Sequence, residues 1–170
     1  MRLLRFESSG EAVAAVSPAA AFAFLADPHN ASFWFAGAGF ASPPVGSLAA
    51  GMTWQFSATP GTRRVTPARM ALYEPPDRFR WETALPGWQT NFAWEMVVAP
   101  GEGGTQLRFT MQLYPGVLEL PFALIGFRLT RRALFRAAHG TVEQAAQALA
   151  ARYPRGDSGT RPAKPKRPRR

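Results

Sequence analysis

Two stretches, RFRWETAL at residues 78–85 and WQTNFAWEMVVAP at residues 88–100, place a bulky side chain at every second position. Strict alternation is the period of a β-strand that is covered on one face only. The residues on the covered side are Phe79, Trp81, Thr83, Phe92, Trp94, Met96 and Val98. The two stretches therefore predict neighbouring strands with one face made of large, flat or flexible side chains, where valine, isoleucine and leucine would fill an ordinary core.

The same alternation occurs in three further stretches, at residues 51–58, 64–73 and 105–113. Turns rich in proline and glycine separate each stretch from the next. Segments of period two with such turns are typical of an antiparallel meander. A further strand is predicted within residues 7–16, which are dominated by small side chains and valine.

Two short helices are predicted between the first strand and the meander. Ser17 can cap a helix that has Pro18 at its first position, and the apolar spacing continues through Ala26. The sequence HNASFWF at residues 29–35 then predicts a second short helix or turn, which ends in an aromatic cluster.

After residue 116 the period changes from two to that of a helix. We predict one long helix from about Leu118 to Arg152, with Pro121 tolerated near its beginning. Its predicted apolar stripe consists of Phe135, Ala138, Val142, Ala145 and Leu149. The predicted fold class is α+β: a curved antiparallel sheet of about six or seven strands wrapped around a long C-terminal helix, with two short helices after the first strand.

The net charge of +9 is concentrated at the C-terminus, because residues 155–170 carry +6 and residues 1–154 carry +3. The segment RGDSGTRPAKPKRPRR has no large apolar side chain with which to offset the entropy of folding. We therefore predict a folded domain at 1–154 and a disordered, basic, proline-rich tail at 155–170. Such a tail can be a solvated extension, or it can contact nucleic acid or an anionic membrane without sequence specificity.

The chain has no cysteine and only two histidines, which excludes a disulfide framework and gives no spacing typical of a metal site. Neither a metal nor another cofactor is expected. The longest nearly apolar run, residues 117–127, is too short to cross a bilayer as a helix. Glu7 and Glu11 interrupt any apolar region of a signal peptide. We therefore expect a cytoplasmic protein.

Five segments together carry a resemblance to a known family. They are VSPAAAFAFLADPHNASFW (16–34), GMTWQF (51–56), YEPPDRFRWET (73–83), GGTQLRFTMQLYP (103–115) and RRALFRAAHGTVEQAAQAL (131–149). In this order they resemble the SRPBCC superfamily, whose helix-grip fold is shared by START lipid-transfer domains, the birch pollen allergen class and bacterial polyketide cyclase/dehydrase-like proteins. The resemblance covers roughly residues 13–153 and is strongest to the last branch. It implies a hydrophobic cavity between the sheet and the long helix, which holds a lipid, a polyketide or another apolar molecule.

Aromatic and methionine side chains suit such a cavity because they can line a wide interior, although alternating strands also produce ordinary packed cores. With the resemblance added, we predict that the aromatic face binds a ligand. The predicted ligand-binding residues are Phe33 and Trp34 near an entrance, and Trp54, Phe56, Met70, Leu72, Phe79, Trp81, Phe92, Trp94, Met96, Phe109, Met111 and Leu113. The loops near residues 86–87 and 114–116 are candidate gates.

Polar groups that could catalyse a reaction are few on the aromatic face. Thr83 lies on the same side of its strand as the aromatic residues and is expected to form a hydrogen bond. Glu82 and Glu95 have the opposite phase and are expected to face water. The catalytic candidates are His139, in the closing helix, and Asp27, after the first short helix.

Three functions remain open at this stage. The first is a carrier or sensor that binds a small hydrophobic ligand, and the second is an enzyme of the cyclase/dehydrase kind that uses the same cavity. The third is a module tethered to nucleic acid or to an anionic membrane by its basic tail. Separately, VLELPFALIGFRLTRR at residues 117–132 is apolar first and basic after, which suits either shallow docking on a membrane or packing as the start of the closing helix.

Overall fold

In the computed structural model, the described residues are 4–35, 39–42, 46–57, 66–83, 89–117 and 120–154. The strands are β1 (Phe6–Ala14), β2 (Gly39–Ser42), β3 (Thr53–Ser57), β4 (Thr66–Glu74), β5 (Arg78–Thr83), β6 (Asn91–Gly101) and β7 (Gly104–Tyr114). The helices are α1 (Pro18–Ala26), α2 (Ala31–Trp34), α3 (Leu120–Ile125) and α4 (Phe127–Arg152), with a 3-10 turn at Pro28–Asn30. Within these ranges no helix combines the length and the apolar character that crossing a membrane requires. The predicted tail at 155–170 and the candidate gate at 86–87 lie outside the described residues.

The seven described strands form one sheet in the order β1-β7-β6-β5-β4-β3-β2. Every neighbouring pair is antiparallel. The first strand therefore pairs with the last, with Phe6 opposite Leu113 and Ala14 opposite Thr105. The predicted α+β class and antiparallel sheet are confirmed.

Helix α1 begins and ends where the sequence predicts. Its N-cap is Ser17, whose Oγ accepts a hydrogen bond from the Ala20 N–H at 3.3 Å, and Pro18 occupies the first position. After α1, the Asp27 carboxylate caps the 3-10 turn by accepting from the His29 N–H at 2.9 Å. The two caps fix the direction in which the chain enters α2.

Helix α4 closes the fold by packing across β1 and β7. Its buried positions are Leu134, Ala138, Thr141, Val142, Ala145 and Leu149. The two backbones come close at Gly10 of β1, where an added Cβ would lie 2.9 Å from both the Ala138 carbonyl oxygen and His139 Cα. The absence of a side chain at Gly10 therefore determines how closely α4 approaches the sheet.

Two predictions about the closing helix are wrong. The sequence predicts one long helix, whereas the structure divides it at Gly126 into α3 and α4. Glycine has a low helix propensity, and the residues on both sides of Gly126 are exposed, so packing does not hold a continuous helix there. The predicted stripe also includes Phe135, which is 54% exposed; Leu134 is buried in its place, because it is the residue that faces the sheet one turn before Ala138.

We predict that Gly10→Ala destabilises the protein by about 1–3 kcal/mol, because the new methyl group meets backbone atoms of α4 that cannot move independently. Urea unfolding followed by circular dichroism measures the change. The matched control is Gly140→Ala on α4, where an added Cβ meets nothing within 4 Å. That control should be neutral or more stable by up to about 1 kcal/mol. Equal stability of Gly10→Ala and the unmodified protein would contradict the close approach.

Candidate functional site

The concave face of the sheet carries the aromatic side chains that the alternation predicts. Trp81 of β5 lies opposite Trp94 of β6, and Phe79 lies opposite Met96. Ten of the fourteen predicted ligand-binding residues are buried: Trp34, Trp54, Phe56, Met70, Phe79, Trp81, Trp94, Met96, Phe109 and Met111. Phe92 and Leu113 share this face and are half-buried at the end of the sheet where β6 begins and β7 ends. Their phase is confirmed, and their contact with a ligand stays a prediction.

Helix α2 places two aromatic rings into the middle of this face. Trp34 is 1% exposed, with its ring centroid 5.6 Å from Trp81. Phe35 lies 5.5 Å from Trp94 and 6.0 Å from Phe56. Trp34 is therefore at the centre of the interior instead of near an entrance, and Phe35 is a core residue that the sequence reading missed. The adjacent aromatic run FWF was the signal that could have identified it.

Four indole N–H groups in this interior have no hydrogen-bond partner among the described residues: those of Trp34, Trp54, Trp81 and Trp94. The rings are contiguous, because Trp81 lies 5.6 Å from Trp34 and 5.5 Å from Trp54, and it pairs with Trp94 across the strands. A buried indole N–H ordinarily has an acceptor, since leaving a donor unsatisfied is costly. Four such donors in one cluster mark the interior as a place suited to oxygen atoms that the described residues do not supply.

Leu72 does not share the aromatic face, so this prediction is wrong. The β4–β5 register shifts between Met70 and Leu72, which places Leu72 opposite Arg80 and Tyr73 opposite Phe79. A one-residue shift turns each later side chain to the other face of the strand. Tyr73 takes the inward position, and its ring lies 5.5 Å from Phe22 of α1.

Thr83 satisfies hydrogen bonds at the end of β5, as predicted. Its Oγ1 accepts from the Phe92 N–H at 2.8 Å and donates to Asn91 Oδ1 at 3.2 Å. The regular pairing between β5 and β6 ends at Glu82 and Ala93. The threonine hydroxyl therefore continues the connection between the two strands one residue further.

The convex face carries a polar network in which Glu82 is only 8% exposed. The prediction that Glu82 faces water is wrong. Arg69 Nε donates to Glu82 Oε1 at 2.9 Å, and Arg80 Nε lies 3.8 Å from Glu82 Oε2. Arg80 also reaches Glu95 at 3.5 Å and the Tyr114 hydroxyl at 3.3 Å. The side chains of Arg69 on β4 and Arg80 on β5 thus cover Glu82, while Glu95 is half-buried.

The network continues to the edge of the sheet. The Tyr114 hydroxyl donates to Gln112 Oε1 at 2.6 Å, and Gln112 Nε2 donates to Glu7 Oε2 of β1 at 2.9 Å. At the turn between β4 and β5, a hydrogen bond from Arg78 lowers the pKa of the exposed Glu74 carboxyl below its ordinary value. These contacts tie the strands together on the side away from the aromatic interior.

Neither catalytic candidate belongs to the sheet: Asp27 follows α1, and His139 lies on α4 with its backbone against Gly10 of β1. Asp27 Oδ1 is 2.8 Å from His29 Nδ1 and also caps the 3-10 turn. His139 is half-buried, and its ring lies 4.2 Å from the exposed Phe135. A catalytic role for Asp27 or His139 stays a prediction. In the described ranges no three histidine, aspartate or glutamate side chains are grouped so that they could hold a metal ion.

An open cavity of about 880 Å³ lies on a different side, between α1, α2 and the C-terminal half of α4. Its lining residues are Ala23, Phe24, Asn30, Phe33, Gln144, Gln147, Ala148, Ala151, Arg152 and Tyr153. Phe33, which is 63% exposed, is the one member of the fourteen predicted residues in that lining. The predicted aromatic face and this cavity are therefore separate sites.

We predict that Thr83→Val lowers the free energy of unfolding by about 1–3 kcal/mol, because the Phe92 N–H loses its acceptor in a buried place. Thr83→Ser keeps the hydroxyl and is the matched control. Thermal unfolding of the two variants measures the difference. Valine and serine variants of equal stability would show that the hydroxyl does not hold the strand ends together.

Comparison with known proteins gives a match along most of the chain. The sequence model of the family described as "Polyketide cyclase / dehydrase and lipid transport" matches residues 5–153. A search of curated proteins found no match.

Solved structures with a similar fold include three of different kinds. The di-domain ARO/CYC StfQ from the steffimycin biosynthetic pathway has 16% identity and a TM-score of 0.67, over 88% of this chain and 52% of StfQ. The chain thus spans about half the length of StfQ. Norcoclaurine synthase from Thalictrum flavum has 14% identity and a TM-score of 0.60, over 86% of this chain and 92% of the synthase. Ara h 8.0201 has 10% identity and a TM-score of 0.55, over 87% and 99%. At these identities the likeness shows the fold, which is the predicted helix-grip fold.

Proposed function

Because the chain belongs to the polyketide cyclase/dehydrase and lipid transport family, we propose that it binds a small, largely apolar molecule between the sheet and α4, as a carrier or sensor. The observation that carries the proposal is the cluster of four buried indole N–H groups without partners. Membership of this family also supports the predicted relationship to the SRPBCC superfamily, whose fold has a cavity that can hold such a ligand.

The cluster defines the chemistry of the ligand. Aromatic rings offer flat apolar surfaces on which a planar skeleton can stack, and their burial of apolar area supplies most of the driving force. The indole N–H groups donate hydrogen bonds and accept none. The ligand should therefore combine a fused-ring or otherwise apolar skeleton with carbonyl, ether or hydroxyl oxygens that face Trp34, Trp54, Trp81 and Trp94.

The polar groups on the concave face also favour recognition over proton transfer. On the described strands they are indole N–H groups and hydroxyls, such as those of Thr83 and Thr105. These groups orient a bound oxygen but do not exchange a proton readily at neutral pH. We therefore place the carrier or sensor before the cyclase/dehydrase alternative, although StfQ and norcoclaurine synthase carry names of that biosynthetic kind.

Entry of a ligand requires that rings move apart, since Trp34 and Phe35 contact the rings of the sheet. Both belong to α2 or its C-cap, and α2 is four residues long. A short helix of this kind can shift without breaking a strand pair. In the proposed bound state, the ligand occupies the position of the Trp34 ring, the Phe35 ring or both. Cytoplasmic location, and contact of residues 155–170 with nucleic acid or membrane, stay predictions.

The proposal is tested with two flat tricyclic probes that differ in one oxygen, 9-fluorenone and fluorene. Titration calorimetry should give a tighter dissociation constant for fluorenone by about fivefold to tenfold, the worth of one hydrogen bond to its carbonyl. Trp→Phe substitution at positions 34, 54, 81 and 94, one at a time, should abolish the preference in the variant that loses the donor. Phe79→Leu is the control, because it changes a buried ring of the same interior and removes no N–H donor.

The ratio of the two dissociation constants is the quantity to compare, because a smaller ring at any position can weaken both probes equally. Indole ¹⁵N–¹H signals of the donor that binds fluorenone should also shift downfield. Equal affinity for the two probes, or a ratio unchanged in all four variants, would contradict the role of the indoles. Failure of both probes to bind would contradict binding in this interior.

A further inference from the structure

Exposed apolar side chains are concentrated in one short part of the chain. Ten large hydrophobic residues are exposed among the described residues, and seven of them lie between positions 117 and 135. They are Val117, Phe122, Leu124, Ile125, Phe127, Leu129 and Phe135. Single exposed hydrophobic residues are ordinary, whereas their concentration in one short segment indicates an interaction surface. We refer to these seven residues as the apolar surface.

The apolar surface is exposed because, apart from the contact of Phe127, the described side chains of α3 and of the first two turns of α4 are not buried against the sheet. The first buried residue of α4 is Leu134. Arg131 lies seven residues before Ala138 and so shares the direction of the buried stripe, yet it is exposed. Phe127 holds the segment in place through its ring contact with Phe6 of β1, at 5.4 Å. The three most exposed members, Phe122 (75%), Ile125 (86%) and Leu129 (74%), lie one helical turn apart.

The charged side chains of α3 and of the first half of α4 all have one sign, although Glu119 precedes α3 in the sequence. Between residues 120 and 142 the chain contains Arg128, Arg131, Arg132 and Arg136 and no acidic residue. The arginines alternate with the apolar positions, and the Arg131 guanidinium lies 5.9 Å from the Phe127 ring centroid. Long arginine side chains can keep their heads at a polar boundary while their stems lie along an apolar layer.

We propose that the apolar surface docks on an anionic lipid bilayer. Phe122, Ile125 and Leu129 enter the boundary between headgroups and acyl chains, and Arg128, Arg132 and Arg136 beside them face the lipid phosphates. A second copy of the chain fits this surface poorly, because a symmetric pair would bring the arginines of two copies together, and residues 120–142 contain no acidic side chain to pair with them. In an anionic bilayer, negatively charged headgroups cover an apolar layer. Such a bilayer therefore matches both the arginines and the exposed apolar side chains.

Docking in this way also places one end of the sheet at the bilayer. Val117 follows the end of β7, and the Gly116 N–H donates to Thr90 Oγ1 just before β6, at 3.3 Å. The half-buried concave residues Phe92 and Leu113 are at this same end. If the proposed function holds, an apolar ligand would pass between bilayer and interior at this end. Docking itself does not depend on that ligand.

Flotation with vesicles tests the proposal on the full chain. The vesicles are phosphatidylcholine alone, and phosphatidylcholine mixed with phosphatidylserine. The unmodified protein should float with the mixed vesicles. A triple variant, Phe122→Ser with Ile125→Ser and Leu129→Ser, should lose affinity by about tenfold or more, because the inserted apolar area is gone. The control is Val13→Ser, which removes an exposed apolar side chain from β1 and should bind normally.

The charges are tested by Arg128→Gln combined with Arg132→Gln and Arg136→Gln, which should lower the preference for phosphatidylserine measurably. The basic residues 155–170 are present in every variant, so they cannot produce a difference between variants. Circular dichroism and thermal unfolding confirm that each variant is folded, which is expected for exposed positions. Equal flotation of the triple serine variant and the unmodified protein would overturn the proposal. So would a dimer in light scattering that becomes a monomer in the triple serine variant.

Discussion

The width of the sheet is the constraint on which the rest of the structure depends. Neighbouring strands lie about 4.8 Å apart, so seven strands span about 29 Å, whereas a helix with its side chains is about 10–12 Å across. Helix α4 therefore covers β1 and β7, where Gly10 allows close approach, and leaves the concave side of β3 to β6 to other groups. Tryptophan, phenylalanine and methionine from the strands and from α2 fill that space because smaller side chains could not reach across it.

Filling a wide space with indoles has a chemical consequence. Each tryptophan brings a donor into a region whose neighbours are mostly rings and hydrocarbon, and four of these donors have no partner within the described residues. A core selected only for stability would use phenylalanine at such positions, since an unsatisfied donor is costly. The side chains that fill the interior therefore also support the proposal that a ligand with oxygen atoms binds there. The polar network on the convex face, from Arg69 to Glu7, holds the strands together without help from the interior.

Local patterns in the sequence predicted the elements better than the details of their packing. The alternation around Trp81 and Trp94 and the Ser17-Pro18 cap are short-range signals, and both correspond to what the structure contains. Leu72 was misplaced because a bulge in β4 changes the phase without a mark in the sequence. Phe135 and Glu82 were misplaced because their burial depends on other elements of the fold: the sheet beneath α4 for Phe135, and Arg69 on the neighbouring strand for Glu82. The positions of Trp34 and Phe35 could not be predicted for the same reason, because the depth of their rings in the interior depends on the folded sheet.

The pairing of β1 with β7 has a consequence for how the chain folds. Ser9 and Thr110, whose hydroxyls lie 2.9 Å apart, are separated by 101 positions. During synthesis the N-terminal strand must remain unpaired until nearly the whole domain has left the ribosome, because its partner emerges so late. High contact order of this kind slows folding and leaves a strand edge open to other chains in the meantime. Strand β1 consists mostly of small and polar residues and carries glutamates at positions 7 and 11. These residues make its unpaired edge a poor template for aggregation.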